Sequence, residues 1–364
     1  MTEDCNCPNE QEAVIAESPD KVKLIESIEE ELSAKEESAK FYLGVDVGSI
    51  STNLAIIDGH KNLVESVYIR TEGRPIQSIQ RGVTLLKEMV GEDFEISGVG
   101  ATGSARQLTG LLVGADVVRN EITAHSLASL HENPNIQTIM EIGGQDSKII
   151  LIRNGVPIDF AMNTVCAAGT GSFLDQQAHR LEIPIEDFGD LAIKSTNAVA
   201  IAGRCTVFAE SDMIHKQQLG HPVEDIIRGL SEALVRNYLN NVGKGKDIRG
   251  PIMFQGGVAA NVGIRDAFRR SLIKSEKIKH EDELMVPENF GVMGAIGAAI
   301  LAMNKMVKNP SEKTKFVGWQ IPDIHYNTKG FECKGCPNIC EIIEVYMDEK
   351  VIARWGSKCG KWDV

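Results

Sequence analysis

Two cysteines, Cys166 and Cys205, each stand apart from any C-x-x-C pair. Each precedes a stretch with the pattern of a helix, SFLDQQAHRL after the first and FAESDMIHKQQL after the second. A helix N-terminus offers unpaired N–H groups and a partial positive charge, which stabilise a thiolate. Two thiolates cannot complete a four-cysteine iron–sulfur site, whereas a two-fold homodimer would supply four. The alternative is that both are buried free cysteines that pack as small hydrophobic residues.

Four further cysteines lie near the C-terminus. They form a C-x2-C-x3-C group followed by a more distant fourth member: Cys333, Cys336, Cys340 and Cys359. Four thiols with such spacing commonly bind structural Zn2+, and they could also hold an iron–sulfur cluster. We expect a metal here, with Gly335 and Pro337 slightly favouring a zinc-knuckle turn. Cys5 and Cys7, in an acidic segment, are expected to be free thiols.

Two segments share one design that suits phosphate binding. YLGVDVGSISTNLAIIDG (42–59) and TIMEIGGQDSKIILIRNG (138–155) each contain an apolar strand, an acidic residue, a glycine turn and a second apolar strand, so that Asp46 aligns with Glu141. N–H groups of a glycine turn can surround phosphate oxygens, and a carboxylate beside it can hold hydrated Mg2+. Each segment alone is most simply an ordinary hairpin, but the pair predicts a phosphate clamp.

A third glycine segment, PIMFQGGVAANVGIRDAF (251–268), has the pattern of a strand, a Gly-Gly turn and a helix. Gly256 and Gly257 would let the backbone pack against a flat ligand such as adenine and its ribose, with Asn261 capping the helix or bonding nearby. The chain contains neither G-x-G-x-x-G nor G-x-x-x-x-G-K-[ST], which disfavours a Rossmann dinucleotide site and a P-loop.

Composition narrows the class of protein. The chain has 364 residues, 43% hydrophobic and 24% charged, which is enough for a core divided between two lobes. The longest weakly apolar run, GVMGAIGAAILAM (291–303), is too short to span a bilayer, and no secretory pattern opens the chain. A net charge of −13 argues against nucleic acid as a partner. We expect a cytoplasmic protein without a membrane partner, whose eight cysteines are reduced.

Strands and helices alternate from Phe41 onward, which predicts an α/β fold. The N-terminal stretch carries twelve acidic residues against four lysines, and the C-terminal stretch loses the alternation. We expect five parts: an acidic, partly helical extension (1–40), the first lobe (41–137), a second lobe with the cysteine helices (138–290), a closing helix that returns to the first lobe (291–308) and a separate Cys-rich module (309–364).

The order of two phosphate hairpins and an adenosine turn resembles the acetate kinase, sugar kinase, Hsp70 and actin superfamily, whose two ribonuclease-H-like lobes close on ATP. More narrowly, the chain from Tyr42 to Met303 resembles the activator ATPases of 2-hydroxyacyl-CoA dehydratases and the related benzoyl-CoA reductase ATPase subunits, the BadF/BadG/BcrA/BcrD type. Seven ordered motifs carry this resemblance: GVDVGSISTNLAIID, GATGSAR, EIGGQDSKII, NTVCAAGTGSFLDQQAHRL, GRCTVFAESDMIH, FQGGVAANVGIRDAF and VPENFGVMGAIGAA.

The resemblance implies an ATP-dependent activase. In the family, one 4Fe–4S cluster is bridged between two subunits by the cysteines that match Cys166 and Cys205. A reduced ferredoxin or flavodoxin would donate the electron, and the acceptor would be an iron–sulfur partner, either a 2-hydroxyacyl-CoA dehydratase or a dehydratase-like double-cubane cluster protein. Two alternatives are an ATP-regulated iron–sulfur sensor without electron transfer and a small-molecule kinase of the same fold.

We expect Asp46 and Glu141 to hold Mg2+ and its waters, and Gln145 or Asp146 to orient the attacking water. The superfamily often has Asp where this chain has Glu141. Phosphate and cleft contacts are expected from a larger set of small residues: Gly48, Ser49, Ser51, Thr52, Thr102, Gly103, Gly143 and Gly144. Lys148 and Arg106 could add positive charge, or could be solvated and structural side chains. The histidines show no metal-binding spacing.

Overall fold

The computed structural model describes residues 40–163, 166–203, 205–347 and 349–362. The predicted N-terminal helical extension and its two cysteines lie outside the described residues. Within the described part, no helix is both long and apolar enough to cross a lipid bilayer.

The first sheet has five strands in the order β3-β2-β1-β4-β5. β1, β2 and β3 are antiparallel neighbours, whereas β4 and β5 run parallel to β1. The elements of this lobe are β1 (Tyr42–Val47), β2 (Ser51–Ile57), β3 (Leu63–Arg70), α1 (Pro75–Val90), β4 (Gly98–Thr102), α2 (Arg106–Val113), β5 (Val117–Val118) and α3 (Glu121–Glu132).

The second sheet repeats this topology in the order β10-β9-β6-β7-β8. Its apolar side packs against the helices that follow β8, in the largest core of the described chain. The elements are β6 (Thr138–Ile142), β7 (Ser147–Arg153), β8 (Val156–Asn163), α4 (Gly171–Leu181), α5 (Ile185–Lys194), α6 (Thr206–Gln218), α7 (Val223–Asn241), β9 (Ile252–Gln255), α8 (Val262–Lys274) and β10 (Leu284–Met285). Two such sheets with their helices form the two-lobe, actin-like ATPase fold expected from the sequence.

Helix α9 (Met293–Lys308) packs against β1 and β4 of the first sheet. Two glycines on neighbouring strands, Gly44 and Gly100, leave room for its backbone. A Cβ at Gly44 would overlap the Ala295 carbonyl oxygen, and one at Gly100 would overlap that of Ala298. The small residues of the helix and the glycines of the strands therefore set this close approach together.

The Cys-rich segment differs from the separate module expected from its composition. It forms a three-stranded antiparallel sheet, β11 (Tyr326–Glu332), β12 (Glu341–Met347) and β13 (Lys350–Trp355). Trp319, Ile321 and Val345 belong to the same buried cluster as the core of the first lobe. The Trp319 indole N–H also donates to the Phe94 carbonyl at 2.8 Å. Three short strands bury too little apolar surface alone, so they share the core of the lobe.

The contact between β4 and α9 predicts a stability effect. Gly100→Ala should lower the free energy of unfolding by roughly 1–3 kcal/mol, because the added methyl group overlaps the α9 backbone. Gly330→Ala is the control, since a Cβ there meets only ordinary contacts at 3.7 Å or more. Urea unfolding of both variants measures the difference, and equal midpoints would contradict the assigned packing.

Candidate functional site

The two predicted hairpins face each other across one cleft. In the first turn the Gly48 N–H donates to the Ser51 carbonyl at 2.9 Å, and in the second the Gly143 N–H donates to the Asp146 carbonyl at 3.0 Å. Both turns line a polar cavity of about 100 Å³. Their residues at this cavity are Gly48, Ser49, Ile50, Ser51, Gly143, Gly144, Gln145 and Asp146. The cavity thus combines backbone N–H groups and carboxylates from both lobes with hydroxyls from the first, a suitable lining for phosphates with a cation.

Asp46 lies at the end of β1, directly beside Asn53 of β2 and Thr102 of β4. Burial raises the pKa of Asp46 to about 6. The Asn53 amide oxygen and the Thr102 hydroxyl are buried without a hydrogen-bond partner. Unpaired buried oxygens beside a buried carboxylate suit a hydrated Mg2+, for which oxygen is the preferred ligand atom.

Glycines give the Asp46 carboxylate its space. A Cβ at Gly103, where φ is +90°, would come within 2.5 Å of Asp46 Oδ1, and a Cβ at Gly294 would overlap Oδ2. The second lobe repeats the arrangement, because a Cβ at Gly256 would lie 2.8 Å from Glu141 Oε1. Each carboxylate therefore occupies space that exists only because the neighbouring residues are glycines.

Lys148 is buried, and not the solvated side chain that is usual for a lysine. It is only 4% exposed, and its ammonium lies 2.9 Å from Glu141 Oε2 and 2.9 Å from Asp146 Oδ2. Burial lowers the pKa of Lys148, but the two carboxylates outweigh burial and hold it above its ordinary range. Burial likewise raises the pKa of Glu141, and the Lys148 ammonium opposes that rise. Lys148 is therefore a fixed positive charge, and one Glu141 oxygen is already committed to it.

Two residues that were predicted to contact phosphate, Thr52 and Thr102, do not line the cavity. The Thr52 hydroxyl lies 2.9 Å from that of Thr71 and 2.7 Å from that of Ser78, so it bonds beneath α1 rather than facing the cavity. This corrects the assignment of Thr52, because alternate residues of a strand point to opposite faces. Thr102 is fully buried beside Asp46 and does not line the cavity.

Sequence reasoning missed several lining residues, among them Asn53, Ser104, Glu121 and His125. His125 is buried, and its Nδ1 lies 2.8 Å from Gln255 Nε2. Burial and the nearby Lys148 charge lower the pKa of His125 to about 3, so the ring is neutral. Glu121 lies 3.7 Å from Arg106, which also bonds the Gly103 carbonyl. Asn53 could have been predicted, because the hairpin pairs it with Asp46. Glu121 and His125, on α3, have no sequence pattern around them that indicates a site.

A second, more apolar cavity of about 250 Å³ adjoins the first. The Gly-Gly turn forms part of its wall through Gly257, and Gly256 adopts a φ of +89° that favours glycine. Asn261 also lines it, while its side chain accepts from the Ile264 N–H at 3.0 Å as the cap of α8. The two cavities share wall residues, namely Ile50, Tyr68, Gly143, Gly144 and Gly257. A ligand with a flat half and a charged half, such as a nucleotide, fits this continuous space.

Helix α4, which follows Cys166, is joined directly to the second phosphate turn. The Gly171 N–H donates to the Gly143 carbonyl at 2.9 Å, and the Ser172 N–H donates to the Gly144 carbonyl at 2.8 Å. The Ser172 hydroxyl donates to the same Gly144 carbonyl at 2.6 Å. The turn that lines the polar cavity thus caps the helix that leads back to Cys166.

Cys166 and Cys205 are both partly exposed free thiols at helix starts, as their sequence context predicts. Cys166 precedes a 3-10 turn, and Cys205 is the N-cap of α6. Asn163 brackets Cys166, accepting from its N–H at 3.0 Å and donating to its carbonyl at 2.7 Å. Asn237 of α7 donates to the Gly203 carbonyl at 2.9 Å, two residues before Cys205.

The C-terminal cysteines share one end of the β11–β12 hairpin. The Cys333 N–H donates to the Cys340 carbonyl at 2.8 Å, while Cys336 and Cys359 are exposed. The Trp362 indole N–H lies 3.2 Å from Cys333 Sγ, and this bond with that from the Gly335 N–H lowers the pKa of Cys333. Throughout the described ranges, no three His, Cys, Asp or Glu side chains are grouped to hold a metal ion. Metal binding at these four cysteines stays a prediction.

Comparisons with known proteins identify the family of this chain. Residues 43–302 match the model of the BadF/BadG/BcrA/BcrD ATPase family. The (R)-2-hydroxyglutaryl-CoA dehydratase activating ATPase of Acidaminococcus fermentans is 34% identical over 281 residues, covering 74% of this chain and 99% of the relative.

Two solved structures are also similar. The crystal structure of component A of the Acidaminococcus fermentans (R)-2-hydroxyglutaryl-CoA dehydratase has a TM-score of 0.64 at 32% identity, covering 74% of this chain and 99% of that one. The activator of the 2-hydroxyisocaproyl-CoA dehydratase from Clostridium difficile, with bound ADPNP, has a TM-score of 0.62 at 29% identity, covering 74% and 97%. The two-lobed chain therefore belongs to the BadF/BadG/BcrA/BcrD ATPase family.

Proposed function

We propose that this chain is a homodimeric ATPase that couples MgATP hydrolysis to electron delivery. The electron would come from a reduced ferredoxin or flavodoxin and pass to an iron–sulfur enzyme of the dehydratase type. One observation carries the proposal: the phosphate turn of the second lobe caps the helix that follows Cys166. A change at the ligand phosphates can therefore reach the thiol through two backbone hydrogen bonds.

The cleft supports the nucleotide half of the proposal. N–H groups of the two glycine turns would bind the β- and γ-phosphates, and Lys148 would offset their negative charge from beneath. The nucleoside would occupy the adjoining apolar cavity against Gly257 and Asn261. Gln145 is exposed in the cavity and is the better of the two candidates to orient water, because Asp146 is already paired with Lys148.

Mg2+ is the cation that ATP hydrolysis of this kind requires. Asp46 fits it best, since this buried carboxylate has unpaired oxygens from Asn53 and Thr102 beside it. Glu141 would contribute through a metal-bound water, with its other oxygen held by Lys148. Bound there, Mg2+ would neutralise charge that develops on the phosphate oxygens.

The thiols support the iron–sulfur half. Cys166 and Cys205 fit as ligands because both are partly exposed free thiols that directly precede helical segments. Within the described part of the chain they have no third ligand, so a four-cysteine site needs a second copy. Val207 and Phe208, beside Cys205, are 66% and 65% exposed, which suits a surface that another subunit covers. A 4Fe–4S cluster held by these thiols would accept and release one electron.

The partner class rests on the relatives. Proteins similar over three quarters of this chain are named as activators of 2-hydroxyglutaryl-CoA and 2-hydroxyisocaproyl-CoA dehydratases. We propose a partner of that kind, or a dehydratase-like double-cubane cluster protein. The additional three-stranded sheet, β11 to β13, lies beyond the residues that the family model matches.

The metal role of Asp46 is tested by Asp46→Asn. The variant should lose roughly 10²–10³-fold in the rate of MgATP hydrolysis, because the neutral amide no longer offsets the cation. Iron content should stay unchanged. Asp93→Asn, an exposed carboxylate away from the cleft, is the matched control. Phosphate release measured at saturating MgATP decides the matter, and turnover equal to the control would reject the role of Asp46.

The cysteine assignment is tested by metal analysis of anaerobically purified protein. Roughly four irons per dimer are expected, and all should be lost when Cys166 and Cys205 are both changed to Ser. The control changes Cys336 and Cys359 to Ser and should keep that iron. Retention of iron by the first variant and its loss from the second would move the redox centre to the C-terminal sheet.

A further inference from the structure

His125, on helix α3, reaches the polar cavity in the region of Asp46. Its side chain is only 7% exposed and forms part of the cavity wall, as Asp46 does. A Cβ placed at Gly294 would lie 3.3 Å from His125 Cε1 and would overlap Asp46 Oδ2. One edge of the imidazole ring and the Asp46 carboxylate therefore lie against the same glycine.

Two buried side chains hold the His125 ring in one orientation. The Ser129 hydroxyl donates to Gln255 Oε1 at 3.0 Å, and Gln255 Nε2 lies 2.8 Å from His125 Nδ1. An amide whose oxygen is bonded to Ser129 presents its nitrogen to the ring, and an amide nitrogen can only donate. His125 Nδ1 is therefore the acceptor, and the proton of the ring is on Nε2.

This chain of hydrogen bonds joins the two lobes. His125 and Ser129 lie one turn apart on α3, which packs against α9 of the first lobe. Gln255 is the last residue of β9 and pairs with Glu141 in the second sheet. A residue of the second lobe thus determines which nitrogen of His125 carries the proton.

The Nε2–H of His125 is available to a further acceptor. Within the described residues, the ring makes no hydrogen bond besides that with Gln255. A buried donor without an acceptor is costly, and the Asp46 carboxylate is an acceptor that borders the same space. Carboxylates that hold a metal ion are commonly fixed in orientation by such a hydrogen bond from a neighbouring residue.

We infer that His125 is a positioning residue for Asp46: its Nε2–H donates to the Asp46 carboxylate, across at most one water, and orients that carboxylate toward the cation. The inference deepens the proposed function and rests on it, because it takes the cation to be held at Asp46. The direction of the hydrogen bond is essential. A ring with its proton on Nδ1 would present a lone pair to the carboxylate and could not hold it.

Two amide substitutions that differ in reach test this role. Calorimetry of the full chain measures how much Mg2+ increases its affinity for ADPNP. His125→Asn should reduce this gain roughly tenfold, because the amide on the shorter side chain does not reach the position of Nε2. His125→Gln reaches that position with an N–H group and should keep the gain. Affinity for ADPNP in EDTA should be unchanged in both, which shows that the nucleotide cavity is intact.

A residue that only fills space would respond alike to both substitutions, so an equal gain in His125→Asn and His125→Gln would overturn the inference. His131→Gln is the matched control, because His131 is exposed on the same helix. It should bind ADPNP as the unaltered chain does, with and without Mg2+.

The position of the ring proton is tested separately. Gln255→Glu keeps the shape of the side chain, but a carboxylate accepts where the amide donates, so the proton should move to Nδ1. Heteronuclear NMR spectra of nucleotide-free protein labelled in its histidines report the tautomer, and the His125 signals are those missing from His125→Gln. We expect the proton on Nε2 in the unaltered chain and on Nδ1 in Gln255→Glu, whose gain from Mg2+ should fall as in His125→Asn.

A proton on Nδ1 in the unaltered chain would overturn the inference while leaving the proposed nucleotide site intact. Failure of the unaltered chain to bind ADPNP, with or without Mg2+, would overturn the proposed function and the inference with it.

Discussion

Two backbone hydrogen bonds join the phosphate turn to the helix after Cys166, and the proposed coupling depends on them. The Gly143 and Gly144 carbonyls accept from the first amides of α4, while the other side of the same turn faces the cavity. The first turn of a helix must find acceptors for its N–H groups somewhere. Here the turn at Gly143 and Gly144 supplies them, so hydrogen bonds join the wall of the cavity to the helix that follows Cys166.

Glycine shapes this site in two different ways. In the turns it exposes N–H groups, and around the carboxylates it leaves space that a Cβ would fill, as at Gly103 beside Asp46 and Gly256 beside Glu141. The lobes repeat this device, yet their charges differ. Asp46 has oxygens without partners beside it, whereas Glu141 is neutralised in part by Lys148. The first lobe is therefore the better place for a metal cation, because in the second lobe the Lys148 ammonium already provides the positive charge.

Sequence reasoning predicted the fold class and the two hairpins because glycine, carboxylate and apolar strand lie side by side in the chain. It could not place residues whose role depends on contacts between distant elements. Thr52 turned out to point beneath α1, and Lys148 turned out to be buried between two carboxylates. His125 reaches the cavity from α3 through tertiary packing. The C-terminal sheet shares the core of the first lobe because it is too small to form its own.

We propose that the nucleotide cleft and the cysteine pair act as one unit. The most direct measurement is the electron paramagnetic resonance spectrum and reduction potential of the anaerobically reduced protein, with MgADP and with MgADPNP. We expect one iron–sulfur signal per dimer whose shape and potential differ between the two nucleotides, because α4 links the phosphate turn to Cys166. A signal that is the same with both nucleotides, although both are shown to bind, would contradict the coupling.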